Sequence, residues 1–268
     1  MNAVSQNYLR DRASKLAVLV VITVVIQLIY AGFVRPTAEE WRAEQRAIAA
    51  QNPGYTPARS LWVIIQDPEQ EATIIVSIWA MMLAIMRFRE LKAQRELLGA
   101  GYLKKDGGTV ILPSDAREYL RTFEQLPPVQ REAVVPRVLA AALKRFGATG
   151  NVQDASQTVH NVCESENNRL DSELAILRFS VWVTPGLGFV GTVRGIGLAL
   201  QGAELAVKGD TTAVTSGLGI SFNSTLVALT LSIVLMYVLH EIQLAQERLV
   251  LDAENYAEQE LITRLHST

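Results

Sequence analysis

Residues Leu16 to Val34 form an apolar run in which Gln27 is the only strongly polar interruption, and no other feature restricts the fold as much. Backbone in hydrocarbon must satisfy its own amides, which a helix does, and a crossing takes roughly 20 residues. Arg10, Arg12 and Lys15 precede the run, as in a signal peptide. The run is too long for an ordinary signal core and no small-x-small cleavage site follows it, so a retained membrane anchor is expected.

Three further apolar segments follow. Ala72–Met86 is short for a crossing, but Arg87, Arg89, Lys92, Arg95, Lys104 and Lys105 come straight after it, and such a cluster marks the cytoplasmic side. Between the first two spans, four arginines are diluted by six acids, as an outer loop tolerates. Ile176–Ala206 and Thr212–Glu241 are separated only by Val207–Thr211, where Lys208-Gly209-Asp210 supplies turn chemistry, so these two pair as a tight antiparallel hairpin.

The expected fold is an all-α integral membrane protein with four transmembrane helices and cytoplasmic helical extensions; three spans is the count if the second fails to cross. The expected divisions are the N-terminus and first span to residue 34, a periplasmic loop over 35–71, and a second span over 72–87. A cytoplasmic helical domain over 88–175, spans over 176–206 and 212–241, and a cytoplasmic C-terminal helix over 242–268 complete it, with both termini cytoplasmic. Inside the cytoplasmic part, Arg87–Leu98 reads as the second span continued, Leu112-Pro113-Ser114 before Asp115 as a helix start, and Pro127-Pro128 as a break. Val134–Phe146 and Ser165–Leu177 show helical spacing. In the tail, Leu244, Leu249, Leu251, Tyr256, Leu261 and Leu265 recur near helical spacing, so the last helix is expected to pass the membrane and pack on the cytoplasmic bundle.

Several functions are disfavoured. A net charge of −2 offers no basic field for nucleic acid. Cys163 is the only cysteine and His160, His240 and His266 are scattered, so neither an intrachain disulfide nor a Cys/His metal site is expected. No Ser/His/Asp arrangement or nucleotide loop points to an enzyme, and no cofactor is implied.

The chemistry concentrates in the hairpin, Trp182 to Met236. Gly188 lies one turn before Gly191, and Gly191, Gly195 and Ala199 recur every four residues, a small-residue stripe for close helix packing. Pro185 removes a backbone donor, so a hinge is expected. Thr184, Gly188 and Thr192 share one face; on the fourth span Ser221, Thr225, Ala228 and Ser232 share another. Thr192 stands about fifteen residues and Thr225 about eighteen from the turn, which at about 1.5 Å per residue places both hydroxyls within roughly one helical turn of the same depth. Asn223 and Ser224 add polar atoms nearby. Such hydroxyls either bond their own helices or line a hydrated path. Arg194 costs at least about 2.5–3.5 kcal/mol at a helix centre unless paired or hydrated. No carboxylate lies deep in the spans, so Arg194 either faces water or Asn223, or forms an ion pair with another chain. A proton path through this hairpin also needs a titrating acid from elsewhere.

Thr184-Pro-Gly-Leu-Gly-Phe-Val-Gly-Thr-Val-Arg-Gly-Ile196 and Gly219-Ile-Ser-Phe-Asn-Ser-Thr-Leu-Val-Ala-Leu229 together resemble the MotA/TolQ/ExbB proton-channel family. The first is similar to its proline- and glycine-rich stretch ending in Gly-Thr-Val-x-Gly-Ile, the second to its threonine-containing stretch. The resemblance implies a pentamer in the bacterial inner membrane surrounding a dimer of a single-span partner like MotB, TolR or ExbD. That partner's aspartate is protonated and released in turn as the ring rotates. Thr192 and Thr225 carry over as the pathway hydroxyls and Pro185 as the helix-bending proline. Arg194 stands where several members have an uncharged residue. Four spans resemble MotA, while the hairpin wording is closer to ExbB and TolQ. The expected function is thus an ion-driven stator subunit using protons, with sodium as the alternative ion. A stand-alone channel or transporter and a structural membrane scaffold are the competing readings.

Overall fold

The computed structural model describes residues 3–52, 55, 58, 60–103 and 110–267, with side chains described from residue 13 onward except at residue 100. Lys104 and Lys105, and the side chains of Arg10 and Arg12, lie outside the described residues. The regular structure described is helical apart from one parallel bridge between Ile111 and Leu265. Helix α1, Ala3–Ile29, passes through a π turn, Tyr30–Val34, into α2, Arg35–Gln51; α3 is Leu61–Ile65 and α4 is Pro68–Glu96. Then come α5 (Ala116–Glu124), α6 (Pro128–Arg131), α7 (Val134–Thr149) and α8 (Val152–Glu173). Helices α9 (Ala175–Gln201), α10 (Ala203–Val207) and α11 (Thr212–Tyr256) follow. Four helical stretches, beginning at Ala13, Pro68, Val152 and Thr212, are long and apolar enough to cross a membrane. The chain is an all-α membrane protein.

The second apolar segment, only fifteen residues by its apolar letters, belongs to a 29-residue helix. Its first turn, Pro68-Glu69-Gln70-Glu71, places proline and two acids where a helix N-terminus favours them. Residues 35–71, read as a loop, contain α2 and α3. Pro36 cannot donate to the carbonyl four residues back. The Arg35 amide bonds the Tyr30 carbonyl instead, so the chain passes the proline on a widened π turn and stays helical. The third span ends at Gln201 rather than Ala206, with Gly202 and the short α10 leading into the turn. Gly209, at φ +98°, makes that turn, and Asp210 caps α11 by accepting from the Thr212 amide at 3.0 Å.

The chain divides into two compact units. The first takes the residues up to Leu83 together with Ile176–Val238. In it the Trp79 indole donates to the Lys15 carbonyl at 3.0 Å, joining α4 to α1. Leu16, Val20, Val24 and Leu28 of α1 are exposed, a surface suited to hydrocarbon and not to water.

The second unit is Ala84–Ala175 with Leu239–Thr268. Its core runs along α7 through Val138, Leu139, Ala142, Leu143 and Phe146, and along α8 through Ala155, Val159, Cys163 and Leu170. The end of α11 covers them with Ile242, Leu249 and Ala253, and Ala257, Leu261 and Leu265 follow beyond it. The tail therefore packs on the helices of this unit, and Leu249, Leu261 and Leu265 of the stripe read off the sequence are buried there. Leu251 is exposed, and the small Ala253 and Ala257 take the contact positions. Glu166, fully buried, is held by Arg137 at 2.8 Å and Arg169 at 2.7 Å.

Candidate ion pathway in the polar hairpin

Glycines bring α9 and α11 together. A Cβ at Gly195 would stand 2.6 Å from the Gly217 carbonyl oxygen and the Ser221 amide nitrogen. One at Gly188 would overlap the Ala228 Cβ, and one at Gly191 the Ser224 side chain. Ala199 meets Gly217 in the same way. Backbones this close leave room for nothing larger than a hydroxyl across the seam.

That seam positions the polar groups. The hydroxyls of Thr192 and Thr225 are in direct hydrogen-bond contact, both half-buried. Thr192 also reaches the carbonyls of Gly188 at 3.1 Å and Ser221 at 3.4 Å, while Thr225 donates to Ser221 at 3.2 Å. Ser221 returns a bond from its own hydroxyl to the Thr192 carbonyl at 2.7 Å. Thr192, Ser221 and Thr225 thus form one cross-helix cluster. Hydroxyls can pass a proton or ligate a cation, but they do not titrate near neutral pH. From Ala175 to Ala203 and from Thr211 to His240 the sequence has no carboxylate.

The other residues read into the pathway are placed differently. Thr184 is fully buried and donates to Ser180 at 2.7 Å, and Ser224 donates to Ile220 at 2.8 Å. Both bonds stay within one helix. Asn223 lies two residues from Thr225, about 200° around the helix. It lines a cavity with residues of α2 instead.

Pro185 lies inside α9, which continues through it. Without an amide hydrogen, Pro185 leaves the Val181 carbonyl unbonded, and the Ser232 hydroxyl donates to that carbonyl from α11 at 3.4 Å. Ser232 shares the face of Ser221 and Thr225, so the polar stripe on α11 also compensates for the proline.

Arg194 corrects the sequence reading. Its counter-charge comes from its own chain: Nε lies 2.6 Å and Nη2 2.8 Å from the two Glu69 oxygens, and Asp67 is 3.6 Å away. No bond joins Arg194 to Asn223 among the contacts described. Glu69 and Asp67 escaped notice because they sit before the apolar letters of the second span, in a stretch read as an outer loop. Beside them, Arg35 meets buried Glu71 at 2.7 Å, and Gln70 is buried. Burial pushes the Asp67 carboxyl above its ordinary value, with Glu69 adding to the rise and Arg194 and Arg42 opposing it. Among the described residues, no three His, Cys, Asp or Glu side chains are grouped to hold a metal.

Residues 130–255 match the family described as the MotA/TolQ/ExbB proton channel family, and that range contains the whole hydroxyl cluster. No curated protein and no solved structure matches the chain.

Proposed function

On the premise that residues 130–255 are a MotA/TolQ/ExbB proton channel family domain, we propose that this membrane protein is the ring subunit of an ion-driven motor. Five copies surround a dimer of a single-span, aspartate-bearing partner of the MotB, TolR or ExbD kind in the bacterial inner membrane, with both termini cytoplasmic. Proton flow through the assembly does mechanical work as the ring turns. The observation that carries this reading is the Thr192–Ser221–Thr225 cluster. It presents hydroxyls from two helices at one depth and supplies no acid of its own, which is the half of a proton relay that a partner's carboxylate completes.

Replacing Thr192 and Thr225 together by valine keeps the shape and removes the hydroxyls. Loss of proton flux in vesicles holding the subunit and its partner, with the assembled complex still recovered, is expected. Undiminished flux in the double variant would mean the hydroxyls serve packing alone. Sodium use is tested in the same vesicles by exchanging the driving ion.

A further inference from the structure

Asn223, which the hydroxyl cluster leaves out, borders a cavity of about 350 Å³ between α2, the segment around Ser60–Ile64, and α11. One wall is α2, where Arg42 and Arg46 sit four residues apart and so share a face. Arg42 also lies within electrostatic reach of Asp67. Val63, Ile64 and Phe222 add apolar side chains to the lining. Gly219 also lines the cavity, and a Cβ there would meet nothing within 4 Å. Among the described lining residues there are two guanidinium groups and no carboxylate.

The α11 wall continues as a stripe of bare apolar side chains. Phe222, Leu226, Leu229 and Ile233, at i, i+4, i+7 and i+11, are 67%, 52%, 49% and 68% exposed. The cavity thus joins a cationic chamber to a strip of hydrocarbon-compatible surface on the same helix. A free anion would satisfy the arginines and leave the strip uncovered, whereas an apolar ligand would cover the strip and leave the arginines unmatched. Only a molecule with an anionic head and long apolar tails matches both.

We infer that this cavity binds the head group of an anionic phospholipid, with its acyl chains lying along Phe222, Leu226, Leu229 and Ile233. Arg42 and Arg46 take the phosphate by charge-assisted hydrogen bonds. The amide of Asn223 offers a neutral donor beside them. This site is independent of the ion-pathway reading.

The test is native mass spectrometry of the detergent-purified full chain, titrated with phosphatidylglycerol or with phosphatidylcholine of the same acyl chains. The wild type retains phosphatidylglycerol preferentially, and R42Q/R46Q brings the two lipids close to parity, roughly a fivefold loss per charge removed. Gly219→Leu fills the cavity with both arginines intact and lowers phosphatidylglycerol retention. R89Q/K92Q, which removes basic residues outside the cavity, leaves the preference unchanged. Three results would overturn the proposal: equal retention of both lipids by the wild type, an unchanged preference in R42Q/R46Q, or displacement of the lipid by millimolar inorganic phosphate alone. A neighbouring copy filling the cavity would show as the first of these.

Discussion

The pairing of Arg194 with Glu69 can be measured as a coupling energy. Two short contacts, 2.6 and 2.8 Å, join the Nε and Nη2 edge of the guanidinium side-on to both carboxylate oxygens, a bidentate geometry that makes a strong ion pair. Glu69 is 12% exposed and Arg194 38%, so the pair belongs between two limits. Exposed pairs contribute about 0–1 kcal/mol, and breaking a fully buried pair costs about 3–5 kcal/mol. Solvent reaches the arginine and draws the value toward the lower limit, while the sheltered carboxylate draws it up. A coupling of about 2 kcal/mol follows. The measurement is a double-mutant cycle of R194Q, E69Q and both together, by denaturant unfolding of the purified protein in micelles. Each single variant should destabilise strongly, because it strands one charge, and the double should recover part of the loss. Asp67, at 3.6 Å from Arg194, should soften the E69Q effect, and D67N/E69Q should remove that cushion. Additivity within about 0.5 kcal/mol would refute the intrachain pairing and return Arg194 to a partner on another chain.

Other outcomes follow from the same geometry. Gly195→Ala drives a methyl against backbone atoms 2.6 Å away on α11 and should cost about 1–3 kcal/mol, whereas Gly186→Ala, with open space around it, should be nearly silent; thermal unfolding distinguishes them. Ser232→Ala leaves the Val181 carbonyl without its cross-helix donor and should destabilise by about 1 kcal/mol. The same change made on a Pro185→Ala background should cost less, since the restored amide serves that carbonyl. Asp67 has a raised folded-state pKa, so the folded state holds its proton more tightly than the unfolded chain, and stability falls as pH rises from the ordinary carboxyl value through the raised one. Asp67→Asn should therefore stabilise the protein at neutral pH, have little effect below the ordinary carboxyl value, and flatten the unfolding profile between. Cys163 is buried in the second unit and should resist maleimide labelling until denaturant is added.

Local signals carried the hairpin. The glycine period, the proline, and Lys208-Gly209-Asp210 each act within a few residues, and helical rise alone puts Thr192 level with Thr225. The same helical geometry separates Asn223 from Thr225 by more than half a turn of rotation, so its exclusion was legible from spacing. Arg194 was different. Its acids lie 125 residues away in sequence for Glu69, and no periodicity links charges on two helices that meet only through tertiary packing. The tail shows a related limit: Leu249, Leu261 and Leu265 are core residues, but Leu251 is exposed, and Ala253 and Ala257, too small to stand out as core candidates, are buried. The helix beyond Val34 was hidden because charges and Pro36 read as loop, while the π turn lets the backbone pass the proline unbroken.

The central claim is that this chain supplies the hydroxyl half of a proton relay and requires an acid from a second protein. The direct measurement is proton flux into vesicles holding the chain alone, the chain with its single-span partner, and the chain with that partner's membrane aspartate changed to asparagine. Flux only in the second preparation is the predicted result. Flux through the chain alone, at a rate the partner does not change, would contradict it.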